Sequence, residues 1–408
     1  MTKRRRRRRL KKGPVIVLAL ILLSIFGGIY LYTHSKKYLF LKGLDKSYDQ
    51  IIKVTSNFID NYMPYTNSNY YNNINSSFKV TTSEIDATID FVGDVYMNDS
   101  SNYFDLNINT NGNEYGLNLL SKNNKLYFKI DDSKYYYTDF SNNNFSTDVY
   151  SELLEIFIDS LKDNIKKSNL EKESSKVVVN SKNYDTKKIT LHIDNELYSK
   201  IVKSFYSNIK DNDDMLDVLL PLTNFSEKKE LVNYLKSNNV SLSNDIYLSV
   251  YLYKSNLVKT ELSYDSDQSI SFISHDNYLE FNTVVEDSTS YIKFDNSKID
   301  LFIDGIGYGT GTYDNKSFKI DFTDYNKNSI GNISYSMNDH GNKYSNKITL
   351  NLDLSDIDIN IDSSNEIEVD KKAPNINVND SIIVDNISVK DQETLSELLT
   401  NINLIFAV

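Results

Sequence analysis

The 408-residue chain contains no cysteine and no tryptophan, and its six arginines all stand in one run near the start. Without cysteine there is no disulfide framework, no thiolate nucleophile and no thiolate metal site. Without arginine beyond that run, the remainder has no guanidinium fork for a phosphate, which argues against phosphotransfer chemistry. Positive charge is scarce as well. After the basic start, 36 Lys+Arg face 56 Asp+Glu, an excess of 20 negative charges. So acidic a body lacks the basic patch that nucleic acid requires, and no nucleic-acid partner is expected.

What is present begins with Lys3, then Arg4, Arg5, Arg6, Arg7, Arg8 and Arg9, then Lys11 and Lys12, followed by an uncharged apolar run from Pro14 to Tyr32. As a helix this run reaches roughly 28 Å, about the thickness of a bilayer's hydrocarbon core. The basic flank predicts a cytoplasmic N-terminus and an exported remainder. The run is longer than a secretory signal's apolar core and ends in Tyr30-Leu31-Tyr32 rather than in small residues, so an uncleaved single-pass signal anchor is expected, with the lipid bilayer as its partner.

From Lys36 to about Met63, apolar residues recur at helical spacing and Pro64 ends the pattern. From Phe78 the period becomes two, as in Ile85-Asp86-Ala87-Thr88-Ile89 and Leu126-Tyr127-Phe128-Lys129-Ile130, which predicts half-buried strands joined by turns such as Asn111-Gly112. A helix is expected over about 147–167, strands at 176–180 and 184–193, a helical block over 194–237 and strands again over 244–362. An amphipathic helix over about 391–403 closes the pattern. The expected fold class is α+β: an N-terminal transmembrane helix, then a large, curved, half-barrel-like antiparallel sheet with packed helices. The divisions are a cytoplasmic tail (1–13), an anchor (14–32), a juxtamembrane helix and loop (33–77), an extracytoplasmic domain (78–365) of either one lobe or two split near 240, and a linker with a terminal helix (366–408).

Gly305, Gly307, Gly309 and Gly311 form a G-x-G-x-G-x-G run that fits neither a dinucleotide fingerprint nor a P-loop. On a strand all four share one face, which suits a sharp bend, close packing, or room for a slender ligand. His34, His192, His275 and His340 lack zinc-site spacing, and the adjacent Ser274-His275-Asp276 cannot form a triad in an extended chain. Ser226 reads as a helix cap rather than a nucleophile. Asp353, Asp356, Asp358 and Asp362 read as a solvated strand face with one bulge. No cofactor, no metal and no catalytic constellation is expected. The 31 tyrosines, with runs at Tyr70-Tyr71 and Tyr135-Tyr136-Tyr137, suit strands and could also stack on sugars or meet a protein.

The phrase Asn124-Lys125-Leu126-Tyr127-Phe128-Lys129-Ile130 with the following Tyr135-Tyr136-Tyr137 resembles membrane-anchored Gram-positive envelope proteins with a LolA- or LppX-like half-barrel ectodomain. That resemblance implies a curved sheet holding helices and a bound lipid. The expected function is therefore non-catalytic binding of a hydrophobic ligand, with the four glycines lining its site. The alternative is an envelope interaction module for cell-wall polymer or protein.

Overall fold

The computed structural model describes residues 35–406 apart from 67, 99–100, 124, 140–146, 211, 221–226, 237–241 and 265–266. Ser35 accepts the amide of Tyr38 at 3.2 Å and so caps α1 (Lys36–Tyr62), which stops just before Pro64. Six strands follow: β1 (Tyr70–Thr82), β2 (Asp86–Asn98), β3 (Ser101–Thr110), β4 (Asn113–Lys122), β5 (Lys125–Ile130) and β6 (Tyr136–Asp139). Next come α2 (Thr147–Asn164), the hairpin β7 (Leu170–Val179) and β8 (Lys182–Ile193), and α3 (Asn195–Ile209), capped by Asp194. Two short helices, α4 (Asp213–Leu219) and α5 (Lys228–Lys236), complete the helical block.

An eleven-strand meander occupies the second half. It comprises β9 (Ile246–Tyr253), β10 (Asn256–Ser263), β11 (Gln268–His275), β12 (Tyr278–Val285), β13 (Ser288–Asp295) and β14 (Lys298–Ile303). It continues with β15 (Gly307–Tyr313), β16 (Ser317–Thr323), β17 (Ser329–Asp339), β18 (Lys343–Leu354) and β19 (Ile357–Val369). The two-residue β20 (Ile382–Ile383) and α6 (Val389–Phe406) follow. Tight turns place Asn and Ser in the left-handed region, as at Asn180-Ser181 (φ 46° and 63°) and Asn296-Ser297 (φ 47° and 68°).

All twenty strands among the described residues belong to one sheet. The pairings order it from β7 through β8, β9 and onward to β19, then β1 through β6, with β20 beside β6. Every pairing is antiparallel except the two-residue contact of β20 with β6. The seam between β19 and β1 is long, running from Tyr70 opposite Val369 to Thr82 opposite Ile357. One face carries apolar rows in register across the strands, such as Ile299, Ile320, Ile333, Leu350, Ile361 and Phe78.

That inner face also carries the helices. Leu39, Phe40 and Leu44 of α1 join Leu161 of α2, Ile165 just after it, and Leu197 and Ile201 of α3 against Ile189, Leu191 and Val250, the last three fully buried. Gly43 is what lets α1 sit down: a Cβ there would lie 2.9 Å from Cγ2 of Val250. At the helix's other end, Tyr62 touches the rings of Phe318 on β16 and Tyr335 on β17. From Gly43 to Tyr62 the helix covers roughly 28 Å. The strand steps from β9 to β17 amount to about 38 Å along the sheet. A straight helix touching both ends is a chord, so the sheet bows around it. Far from α1, Leu398 of α6 buries itself among Ala87, Ile89, Ile108 and Tyr115.

Several sequence expectations need correction. The fold is dominated by one continuous twenty-strand sheet among the described residues, and its helices pack at the β7–β10 end, with α1 reaching on to β17 and α6 apart, rather than being held inside a LolA-like half-barrel. The transmembrane helix and the single-pass membrane location are likewise not supported. Among the described residues no helix is long and apolar enough to cross a membrane, a statement that does not bear on strands. The helix expected to extend an anchor outward instead docks on the sheet through Phe40 and Leu44. Residues 14–32 and the cations Arg4–Arg9, Lys11 and Lys12 lie outside the described residues. Residues 237–241 lie outside the described residues, and on either side of them β8 pairs with β9. Asp356 marks no bulge: Ser355-Asp356 is a two-residue hairpin turn, with Leu354 opposite Ile357. A tight hairpin keeps apolar residues facing each other across a gap of three, which in sequence mimics one inserted residue.

Replacing Gly43 by leucine should force α1 off Val250. The expected loss is about 1–3 kcal/mol in urea unfolding; an unchanged midpoint would show that the helix docks elsewhere.

Candidate functional site

Where the sheet bows away from α1, a cleft opens between them. Its apolar part encloses about 410 Å³. Phe58 and Tyr62, one helical turn apart on α1, form one wall, and Ile292, Phe294, Ile299 and Phe318 of β13, β14 and β16 form the other. A polar part of about 890 Å³ adjoins it, between Lys46, Asp49 and Lys53 of α1 and the hairpin turns at His275, Asp276 and Asn296. Val54, Asn57, Leu279 and Tyr313 border both parts. The cleft is open to solvent, since Phe58 is 51% exposed.

Hydrogen bonds fix the apolar end. The Tyr62 hydroxyl donates to the carbonyl of Asp314 at 2.6 Å, and the Tyr335 hydroxyl donates to the carbonyl of Tyr62 at 2.6 Å. Burial, followed by the nearby Asp314, pushes the Tyr62 hydroxyl up, so it remains a donor at neutral pH. The Asp314 carboxyl is held below its ordinary range by the amide of Lys316 first, and by the hydroxyl and amide of Ser317. This anchors the β15–β16 turn under the ring of Tyr62. At the polar end, Lys46 donates to Asn256 at 3.1 Å, and the Thr260 hydroxyl donates to Ser47 at 2.9 Å. Two ammonium groups and two carboxylates give this mouth a balanced charge.

The four glycines lie elsewhere. Gly305 sits in the β14–β15 turn with φ +82°, so it does not share a strand face with the others. In β15, a Cβ on Gly309 would lie 2.7 Å from Leu301 and 3.0 Å from Ile320. At Gly307 and Gly311 a Cβ would strike carbonyl oxygens of Thr323 and Lys319, at 2.2 and 2.0 Å. None of the four lines the cleft, although Ile320, beside Gly309, does.

Of the histidines, His275 stands at the cleft's polar rim, 3.7 Å from Asp276. His192 bonds Asp245 at 2.7 Å and stacks on Tyr247, on the face opposite α1. His340 lies in the β17–β18 turn. His34 and Ser226 lie outside the described residues. Among the described residues no group of three or more His, Asp or Glu is placed to hold a metal ion. Sequence reasoning passed over Phe58, Tyr62, Ile292 and Phe294 as site residues. The i, i+4 pair Phe58/Tyr62 was the available signal, because two aromatic rings at that spacing extend α1's apolar stripe well beyond the contact at Gly43.

No known family matches the chain, and no curated protein matches it. Among solved structures, a triple mutant of the Rhodopseudomonas blastica porin aligns at 7% identity and TM-score 0.19, over 73% of this chain and 98% of that one. Pseudomonas aeruginosa OpdQ aligns at 7% and 0.12, over 74% and 97%. CymD, a monoaromatic hydrocarbon channel, aligns at 6% and 0.13, over 75% and 89%. Superpositions this poor carry no argument about fold or function.

Because the Asp314 pKa is depressed, its contribution to the turn is present above the ordinary aspartate value of about 3.9 and is lost as pH falls through its lower folded value. Amide exchange at Lys316 and Ser317 should accelerate over that acid range, and in Asp314→Ala it should already be fast at neutral pH. Equal protection in the variant and the parent would remove the carboxylate from the argument.

Proposed function

We propose that this protein is a non-catalytic binder of a slender amphiphile, a lipid or similar molecule, held in the cleft between α1 and the sheet. The observation that carries this reading is the join between an apolar chamber of about 410 Å³ and a polar mouth that shares four of its residues. Small-molecule sites typically enclose about 300–1,000 Å³, with mostly apolar walls and a few polar groups that set orientation. An alkyl chain lying between Phe58 and Phe294 leaves water at about 0.8 kcal/mol per methylene. Its polar end then faces Lys46, Lys53 and His275. Balanced charge in that mouth favours a neutral or zwitterionic headgroup over a strongly anionic one. The half-exposed Phe58 leaves an entry path that requires no opening of the fold.

The test uses N-phenyl-1-naphthylamine, an uncharged probe whose fluorescence rises in an apolar site, and a zwitterionic lysophospholipid as competitor. The intact chain should bind the probe and release it to the competitor. Phe58→Asp puts a charge at the mouth of the chamber on an already exposed position, and should weaken binding by about tenfold or more. A chain that shows no fluorescence rise, or a variant that binds like the parent, would sink the reading.

A further inference from the structure

The sheet's outer face, opposite α1, is not uniformly polar: Val177, Tyr251, Ile273 and Tyr278 form a buried cluster at one end of it, Tyr71, Tyr96 and Tyr103 stand in one row farther along, and a third aromatic group lies between them. Tyr291, Phe302 and Tyr308 stand side by side in register on β13, β14 and β15. Their ring centroids are 6.0 and 5.0 Å apart. Tyr325, from the β16–β17 turn, joins them at 5.9 Å from Phe302 and 6.3 Å from Tyr308. Tyr308 is 40% exposed and Tyr325 51%, so the platform faces solvent.

Hydrogen-bonding groups run beside it. Two residues along each strand lies a parallel row, Lys293, Asp300, Thr310 and Asp321, whose last three members are exposed. Lys293 reaches back over the ring of Tyr291 at 3.6 Å. On the far flank, the Tyr325 hydroxyl donates to Asp304 at 3.0 Å and accepts from the amide of Gly305 at 2.7 Å, which holds its ring in place. The run of aromatic faces therefore has acceptors along both edges.

We infer that the outer face of β13–β15 is a binding platform for an extended, neutral glycan strand, independent of the cleft on the opposite face. A pyranose ring has a C–H face that stacks on an aromatic ring and equatorial hydroxyls that point outward in its plane. The exposed ring of Tyr308, tilted 42° to Phe302 and met edge-on by Tyr325, supplies the stacking face, and carboxylates, a threonine hydroxyl and tyrosine hydroxyls stand at the sides, a pattern that matches both features of the sugar. The step between neighbouring rings is close to the advance of one residue along an extended glycan. Charge bears on the class: an anionic polymer would meet Asp300 and Asp304, while Asp321 is already paired with Lys319 at 2.9 Å and Lys293 lies over Tyr291.

The intact chain is titrated with cellotetraose, chitotetraose and tetragalacturonate, followed by saturation-transfer NMR and calorimetry. At least one of the two neutral tetrasaccharides should bind, with tetragalacturonate about tenfold weaker or worse. Tyr308→Ala and Tyr325→Ala change exposed positions and should each weaken the neutral sugar by about tenfold, with the thermal midpoint retained. Phe58→Asp, in the cleft, should leave sugar binding as it is, so failure of the cleft reading and failure of this one remain distinguishable. The inference is overturned if neither neutral sugar binds, if tetragalacturonate binds best, or if both tyrosine variants bind like the parent. Self-association that Tyr308→Ala abolishes, without sugar binding, would reassign the platform to a second copy of the chain and overturn it too.

Discussion

A straight helix laid across a bowed sheet is the constraint from which the rest of this molecule follows. α1 touches the sheet closely near Gly43 and again at Tyr62, and between those points the sheet recedes. At the first contact the two surfaces interlock and exclude water, which yields the main core around Ile189 and Val250. Farther along, the same helix stands off the strands, and apolar side chains on both sides face a gap rather than each other. Core and cleft are two consequences of one mismatch in curvature. Close packing at Gly43 requires a glycine; the stretch that borders the gap can carry large rings.

The sheet separates two chemistries by strand alternation alone. Through β14–β18, residues of one parity supply the apolar rows of the inner face, and those of the other parity supply mainly Lys, Asp, Asn and Thr, with Phe302 and Tyr308 among them. Glycines in β15 sit among inner-face side chains at Gly309 and against the neighbouring backbone at Gly311. They permit the crowding that bowing produces. With so few glycines overall, left-handed turn positions fall to Asn, Asp, Ser and Lys, which leaves the hairpin ends polar and suited to rim the cleft's mouth.

Local order was largely legible in the sequence. Helical spacing from Leu41 to Tyr62 and the stop at Pro64 delimit α1, and alternation marks most strands, because both patterns reflect nearest-neighbour geometry. What was not legible is long-range. Nothing in Tyr70–Thr82 announces that its partner lies near residue 360, and nothing about Gly43 distinguishes a contact glycine from a tolerated one. The four-glycine run misled by its regularity: the turn at Asp304-Gly305-Ile306 interrupts the strand, so period two in sequence did not continue in space. The cleft's walls come from α1 and from strands more than 200 residues later. A reader of the sequence meets Phe58 and Phe294 as two unrelated apolar residues.

The seam between β19 and β1 also bears on how the chain reaches this state. Nearly every other strand pairs with its immediate neighbour in sequence, so most of the sheet can form through short hairpins with little loop entropy to overcome. The seam joins Tyr70 to Val369 and has to wait for the whole second meander. Until then β1 presents a thirteen-residue edge, with Phe78 and Val80 on its apolar side, to whatever is nearby. Non-local pairing of this kind slows folding and lengthens exposure of such an edge. During biosynthesis, then, the early strands are made long before their last partner exists, and the hazard they face is one of timing rather than of final stability.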